Sequence, residues 1–335
     1  MRATSQRRGG NPPVQSRPCS AVRRRSRMPS WDCLRTLSSG VPLAQAAGSC
    51  MKHDSPRDTR RESFQEPLLM SSTLLSDSVL AAGGYASEQL FSRSKVIAWS
   101  HRRRFAAARR LLAPYQGGRL LDYGCGDGTL LFLVRDLFPQ AIGVDIDPKH
   151  IDSCRRRFGP LTQLAFTTAV SDVPAARDVI VCTEVLEHCC EDTLAHVIAD
   201  VKRMLRPDGV FVVSVPIETG VTLLVKQLVR VLAGWRHIGD YQYTERYSMR
   251  ELLRMVFARR DSAITRPVYE AQITSDVLVK FHGHKGFNWR ALERRLSREF
   301  TVRRRMFSPV SWSGGVAASQ VWFVCTLSGA HTLLR

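Results

Sequence analysis

Residues Leu120-Leu121-Asp122-Tyr123-Gly124-Cys125-Gly126-Asp127-Gly128-Thr129 decide how this chain is read. A short apolar run ends in an acid, three glycines alternate behind it, and Thr129 opens a helical pattern. Glycine lacks a Cβ, so such a turn can be sharp and can bring backbone close to a ligand. The spacing is GxGxG. A dinucleotide fingerprint is GxGxxG, and Thr129 stands where its last glycine belongs. That fingerprint also aims a helix N-terminus at a pyrophosphate. The turn here suits a ligand that needs close approach without an anion cradle, so a dehydrogenase is the weakest reading.

Working outward, short apolar runs alternate with helical patterns. Strands are expected at 119–123, 141–146, 164–169, 178–183 and 209–215, and helices at 129–138, 148–158 and 193–205. Pro148 suits the first turn of its helix. Continuous apolar strands separated by helices of about 10–15 residues imply a mostly parallel sheet covered on both faces. The fold class is α/β, doubly wound, with ligands beyond the carboxyl ends of the strands. Upstream, residues 85–112 read as one helix with apolar residues at Leu90, Ile97, Phe105 and Leu112. Downstream, 300–307 and 320–327 are strand-like with no helix between them, so they pair antiparallel or sit apart. The expected organisation is a tail at 1–70 and a domain at 80–335. The domain divides into a helical segment at 80–117, a core at 118–216, an insertion at 217–300 and terminal strands at 301–328.

Of the 335 residues, 49 are Lys or Arg and 30 are Asp or Glu, for a net charge of +19. Such a surplus invites a nucleic-acid or anionic-membrane partner. Residues 1–70 hold 13 basic and 5 acidic residues, a surplus of 8 that leaves 11 for the rest. Rich in Arg, Ser, Pro and Gly, that stretch reads as an unstructured tail. No apolar core of a secretory signal follows its arginines, and residues 1–30 contain no Leu, Ile or Phe to build an amphipathic presequence. A cytoplasmic protein is expected, with membrane-peripheral or mitochondrial placement as alternatives. The nine cysteines include no CxxC pair and read as reduced thiols.

Two more acids follow successive strands. Asp145, 17 residues after Gly128, ends the second strand beside Ile146, and Asp172 follows the third. A carboxylate at the Asp145 position can accept hydrogen bonds from both hydroxyls of a ribose. With this ordered set the chain resembles the class I S-adenosylmethionine-dependent methyltransferases, firmly over 118–216. The resemblance implies a Rossmann-like, seven-stranded sheet with an antiparallel last strand, and S-adenosylmethionine as cofactor. It implies that Asp122, Gly124, Cys125, Gly126 and Gly128 line the methionine part, that Asp145 with Ile146 binds the ribose side, that Asp172 meets the adenine edge, and that Thr183 borders the same site.

The fourth strand runs into Glu184-Val185-Leu186-Glu187-His188. This is similar to the ExxEH segment of small-molecule O-methyltransferases of the ubiquinone-biosynthesis type and of a small-RNA 2′-O-methyltransferase group. In parts of those groups the two Glu and the His hold a divalent metal with a further His from downstream. Here Glu184, Glu187 and His188 match, residues 239–244 contain no His, and His237 is the nearest candidate. The simpler role is general base: an imidazole that titrates near neutrality can take the proton of a hydroxyl as it attacks, so His188 with Glu184 and Glu187 forms the candidate catalytic set. In the insertion, Val221, Leu224, Val225, Leu228, Val231, Leu232 and Trp235 fall at helical spacing, with Lys226 and Arg230 on the other side. That helix either packs on the sheet or cleft, or rests on an anionic bilayer and suits a lipid-like acceptor. The leading reading is methyl transfer to a small, lipid-like or acidic molecule, most naturally at oxygen. The alternatives are an RNA 2′-O-methyltransferase and a non-catalytic cofactor-binding module; scattered basic residues argue against the first and an intact turn with both acids against the second.

Overall fold

The computed structural model describes residues 77–92, 95–235, 247–275, 277–310 and 318–329. The tail at 1–70, His237 and the segment 239–244 lie outside the described residues. Five parallel strands make the body of the sheet: β1 (Arg119–Tyr123), β2 (Gln140–Val144), β3 (Leu164–Thr167), β4 (Arg177–Thr183) and β5 (Leu205–Pro216). The crossovers carry α3 (Thr129–Val134), α4 (Pro148–Phe158) and α5 (Glu191–Met204). Ahead of them lie α1 (Asp77–Ala81), a π-helical turn (Ala86–Leu90) and α2 (Lys95–Leu112). The helix expected over 85–112 is therefore two pieces.

The strand order is β3-β2-β1-β4-β5-β9-β8, with β8 (Phe300–Ser308) and β9 (Gln320–Leu327) at one end. β9 runs antiparallel to both β5 and β8, which makes the sheet the seven-stranded, mostly parallel one expected. The order reverses between β1 and β4, so the crevice for a ligand opens at their carboxyl ends. Val179, Ile180 and Val181 of β4 and Phe211, Val212 and Val213 of β5 are fully buried, which is why these strands read as unbroken apolar runs. At the outer edge, Arg303, Arg304 and Arg305 are exposed and a bulge interrupts the ladder between Val302 and Arg304, so β8 does not offer a flat apolar edge.

The helix expected at 129–138 stops at Val134, where the Arg135 guanidinium folds back over the Phe132 ring and donates to the Phe132 carbonyl. The insertion holds α6 (Val221–Trp235), α7 (Met249–Val256), α8 (Trp289–Leu296) and a hairpin absent from the sequence reading, β6 (Val268–Gln272) with β7 (Leu278–His282). The hairpin pairs half-exposed faces, so no run of apolar residues announces it.

α6 does not lay its apolar face on the sheet or cleft, the first of the two arrangements expected for it. Its charged side faces inward: Glu218, only 2% exposed, accepts from Lys226 Nζ at 3.0 Å and Arg230 Nη2 at 3.3 Å. Lys226 also donates to the carbonyls of Ile217 and Ser319. Val221, Leu224, Val225, Leu228 and Val231 are left 40–67% exposed. On α7, Met249, Leu253 and Phe257 just beyond its end are exposed as well.

Burial alone would raise the Glu218 carboxyl, but Lys226 and Arg230 together hold it at about 2 against an ordinary 4.5. A depressed carboxyl contributes stability that is full above its unfolded pKa and lost as pH falls toward the folded one. Glu218→Gln is thus expected to cost about 3 kcal/mol at neutral pH. Urea unfolding of both proteins should show that gap shrinking as pH falls from about 4.5 toward 2.

Candidate functional site

The glycine turn hangs from the neighbouring strand. Gly124 N and Cys125 N both donate to the Val144 carbonyl, at 2.8 and 2.9 Å. Gly124, Gly126 and Gly128 take φ of +78°, +55° and +75°, a region that side chains with a Cβ rarely enter. At Gly124 a Cβ would also lie 2.5 Å from Val185 Cγ2. Gly126 N donates to Asp145 Oδ2 at 2.9 Å, and Asp147 N donates to Asp145 Oδ1 at 2.9 Å. His150 Nδ1 stands 3.4 Å from the same Oδ1. Asp145 therefore sits oriented by backbone from two sides, while Ile146 beside it is exposed. Asp172 is exposed and accepts from Thr167 Oγ1 at 3.0 Å. Asp127 ties the turn to the N-terminal segment: Oδ1 accepts from Thr129 Oγ1 and Oδ2 from Ala86 N.

Beyond β4 the chain makes a second tight turn. Glu184 has φ +56° without being glycine, a costly backbone that persists only when its surroundings hold it. They do. Its N–H donates to the Ser214 carbonyl at 2.9 Å, its Oε1 accepts from Ser214 Oγ at 3.1 Å, and its Oε2 pairs with Arg104 Nη1 at 3.5 Å. Glu187 and His188 follow on a buried 3-10 turn. His188 Nδ1–H donates to the His282 carbonyl at 2.8 Å, which leaves Nε2 as the basic nitrogen, 3.7 Å from Glu187 Oε1. The hairpin delivers that carbonyl, pinned to the catalytic loop by a bridge between Cys189 and Phe281.

A cleft of about 790 Å³, open solvent at its mouth included, joins the two turns. Asp122, Cys125, Thr183, Glu184, Glu187 and His188 all line it. Asp145, Ile146 and Asp172 lie outside its walls, at the neighbouring strand ends. Tyr85, His101, Arg104 and His284 line it too. His101 and Arg104 sit three apart on one face of α2, a spacing that was legible, but nothing local says this face covers a cleft. Burial holds the His101 imidazole at about 4, against the pull of Glu184, and burial likewise depresses His284, against Glu218 and Glu184.

S-adenosylmethionine has a sulfonium, an amino acid head and a ribose, and the residues fit each part. The carboxylates of Asp122, Glu184 and Glu187 line the cleft and suit a positive charge, Arg104 offers a cation for a carboxylate, and Asp145 offers a carboxylate to a ribose from the neighbouring strand end. A metal fits less of the expected set. Among the described residues, Glu187, His188 and His284 bring ligand atoms within 4.8 Å of one another, and His284 Nδ1 is buried without a hydrogen-bond partner. Glu184 is not in that group; Ser214 and Arg104 hold its carboxylate. Among the described residues the downstream histidine of the cluster is His284; His237 lies outside them.

A family model described as a methyltransferase domain matches residues 98–258. A probable S-adenosylmethionine-dependent methyltransferase of Mycolicibacterium smegmatis is 33% identical over 116 residues, 34% of this chain and 44% of that protein. A ubiquinone biosynthesis O-methyltransferase of Cereibacter sphaeroides is 37% identical over 107 residues, 30% of this chain and 42% of that protein. These matches agree with the resemblance to class I S-adenosylmethionine-dependent methyltransferases that the glycine turn carries. The chain spans about half the length of these relatives. Among solved structures, the magnesium protoporphyrin IX methyltransferase of Synechocystis with bound S-adenosylhomocysteine aligns over 76% of this chain and all of its own, with a TM-score of 0.44 and 13% identity. The Mycolicibacterium smegmatis relative is named for its dependence on S-adenosylmethionine, the cofactor that the sequence resemblance implies.

Gly124→Ala tests how the methyltransferase turns interlock. The substitution should lower thermal stability, by about 1–3 kcal/mol, and weaken S-adenosylhomocysteine binding in calorimetry. Adding Val185→Ala removes the clash but not the positive φ, so it should restore only part of both.

Proposed function

We propose that this protein transfers the methyl group of S-adenosylmethionine to an oxygen of a small-molecule acceptor. The observation that carries the reading is the tautomer at His188: with Nδ1–H given to the His282 carbonyl, Nε2 is free of the proton and can take one. Methyl transfer is an in-line displacement, and an acceptor hydroxyl must lose its proton as it attacks. His188 Nε2 receives that proton, and Glu187, fully buried at 3.7 Å, stabilises the imidazolium that forms. Glu184 shapes the turn and faces the sulfonium side of the cleft. Asp145 holds the ribose and Asp172 the adenine edge, and the strand ends orient methyl and nucleophile. The exposed apolar residues of α6 and α7 support a lipid-like acceptor, approached from a bilayer surface. No described helix is long and apolar enough to cross a membrane.

A second reading is favoured by the cluster of Glu187, His188 and His284. These residues would hold a divalent cation, whose chemistry is to stabilise negative charge on an acceptor oxygen. Two histidines and a carboxylate suit such an ion.

Labelled methyl transfer from S-adenosylmethionine to cell extract, fractionated into small molecules and nucleic acid, tests the proposal. Label in the small-molecule fraction is expected; label confined to RNA would refute it. His188→Ala should leave S-adenosylhomocysteine affinity unchanged and lower turnover about 100-fold or more. Treatment with a chelator should leave turnover unchanged. Loss of turnover that Mg²⁺ or Mn²⁺ restores would assign the site to the second reading. Asp145→Ala, by contrast, should abolish cofactor binding itself.

A further inference from the structure

Two cleft residues take no part in the base or in the acid cluster, and both come from the segment ahead of β1. Tyr85 immediately precedes the π-helical turn, and His101 lies on α2. Tyr85 Oη stands 2.7 Å from His101 Nδ1. The Tyr85 ring meets His101 and Phe105 edge-on, at 5.7 and 6.0 Å, and carries the Arg104 guanidinium over its face at 5.3 Å. Both rings are thus held in place by packing as well as by the hydrogen bond.

The proton in that bond can be assigned. A separation of 2.7 Å is short for N–H···O and ordinary for a hydroxyl donor. A phenol with an ordinary pKa of about 10 keeps its proton at neutral pH and can donate it. The distance and the protonated phenol favour Tyr85 as donor and Nδ1 as acceptor. Burial keeps the imidazole neutral, with a pKa of about 4, although Glu184 pulls it upward. A neutral ring whose Nδ1 accepts carries its single proton on Nε2. The Glu184 charge near the ring favours that same placement.

The resulting N–H faces a cleft rich in acceptors. Asp122, Glu184, Glu187 and His188 Nε2 line it, beside the Thr129 and Thr183 hydroxyls and the Gln89 amide, which can also donate. Arg104 is a donor, but a charged one, suited to an anion. His101 Nε2–H is a neutral donor, and its natural partner is an uncharged oxygen. We propose that Tyr85 and His101 form an acceptor-reading pair, in which the imidazole N–H, fixed by the Tyr85 hydroxyl, hydrogen-bonds a neutral carbonyl, ether or hydroxyl oxygen of the molecule to be methylated. The proposal rests on the methyl-transfer reading of the same cleft. His101 touches the acceptor, and Tyr85 acts through it as a positioning residue. Tyr85 precedes the matched region at 98–258, so acceptor choice extends to a part of the chain outside it.

The test uses the full chain with ¹⁵N-labelled histidine. Long-range ¹H–¹⁵N correlation should show His101 with a protonated Nε2 and an unprotonated Nδ1, unchanged between about pH 5.5 and 8. Tyr85→Phe, which removes one oxygen, should mix the two neutral forms. A protonated Nδ1 in the wild type would overturn the assignment. In parallel, Tyr85→Phe and His101→Gln should bind S-adenosylhomocysteine within about twofold of the wild type, while label transferred to the small-molecule fraction falls about tenfold, as for one lost hydrogen bond of about 1.4 kcal/mol. Equal loss of cofactor affinity would move the pair into the cofactor site and end the proposal. Undiminished transfer by both variants would overturn it alone. No transfer by the wild type, with cofactor binding intact, would remove the methyl-transfer reading and this proposal together.

Discussion

The site depends on one constraint, the left-handed backbone at Glu184. A residue with a Cβ is held there by three partners from different elements: the Ser214 carbonyl and hydroxyl on β5 and the Arg104 guanidinium on α2. The turn throws Val185 across the β1 end, where it occupies the space a side chain at position 124 would need. The same turn lets His188 N bond back to the Val185 carbonyl and sets the imidazole against the hairpin. Cofactor turn and catalytic turn are therefore one interlocked piece. Glycine at 124 is as much a consequence of how β4 ends as of ligand approach.

Electrostatics follow from that piece. Carboxylates crowd the strand ends of a chain whose net charge is +19, and three of them are met by donors. Asp145 takes backbone N–H groups, Asp127 takes Thr129 and Ala86, and Glu184 takes Ser214 and Arg104. A sulfonium entering this cleft meets charge that is already oriented, with little reorganisation left to do. The basic surplus lies elsewhere, on exposed edges such as Arg303–Arg305 and inside the strut beneath α6.

The parts legible in sequence are those governed by local rules. Strand β1, the glycine turn and Asp145 were readable because parallel strands buried on both faces leave apolar runs, and because positive φ selects glycine. Strands β8 and β9 were readable for the same reason, though only pairing shows β9 lodged between β5 and β8. The hairpin at 268–282 was missed because its half-exposed pairs carry neither an apolar run nor a clean alternation. The orientation of α6 stayed open because the amphipathic pattern says which residues share a face, not which face is buried. The buried Glu218 reversed the usual answer by drawing Lys226 and Arg230 inward. His284 was out of reach of spacing rules, since it meets His188 only through the fold, 96 positions away.

The two halves of the cleft are built by different means, and this explains why they differ in legibility. Cofactor contacts come from backbone and from acids at consecutive strand ends, positions that the doubly wound topology places side by side whatever the rest of the chain does. The acceptor contacts proposed above come from α2, from the loop after β4 and from the residues that follow β7, elements brought together only by long-range packing. The same cofactor machinery can therefore serve many acceptors, with the choice made by side chains that no motif of the strand ends encodes.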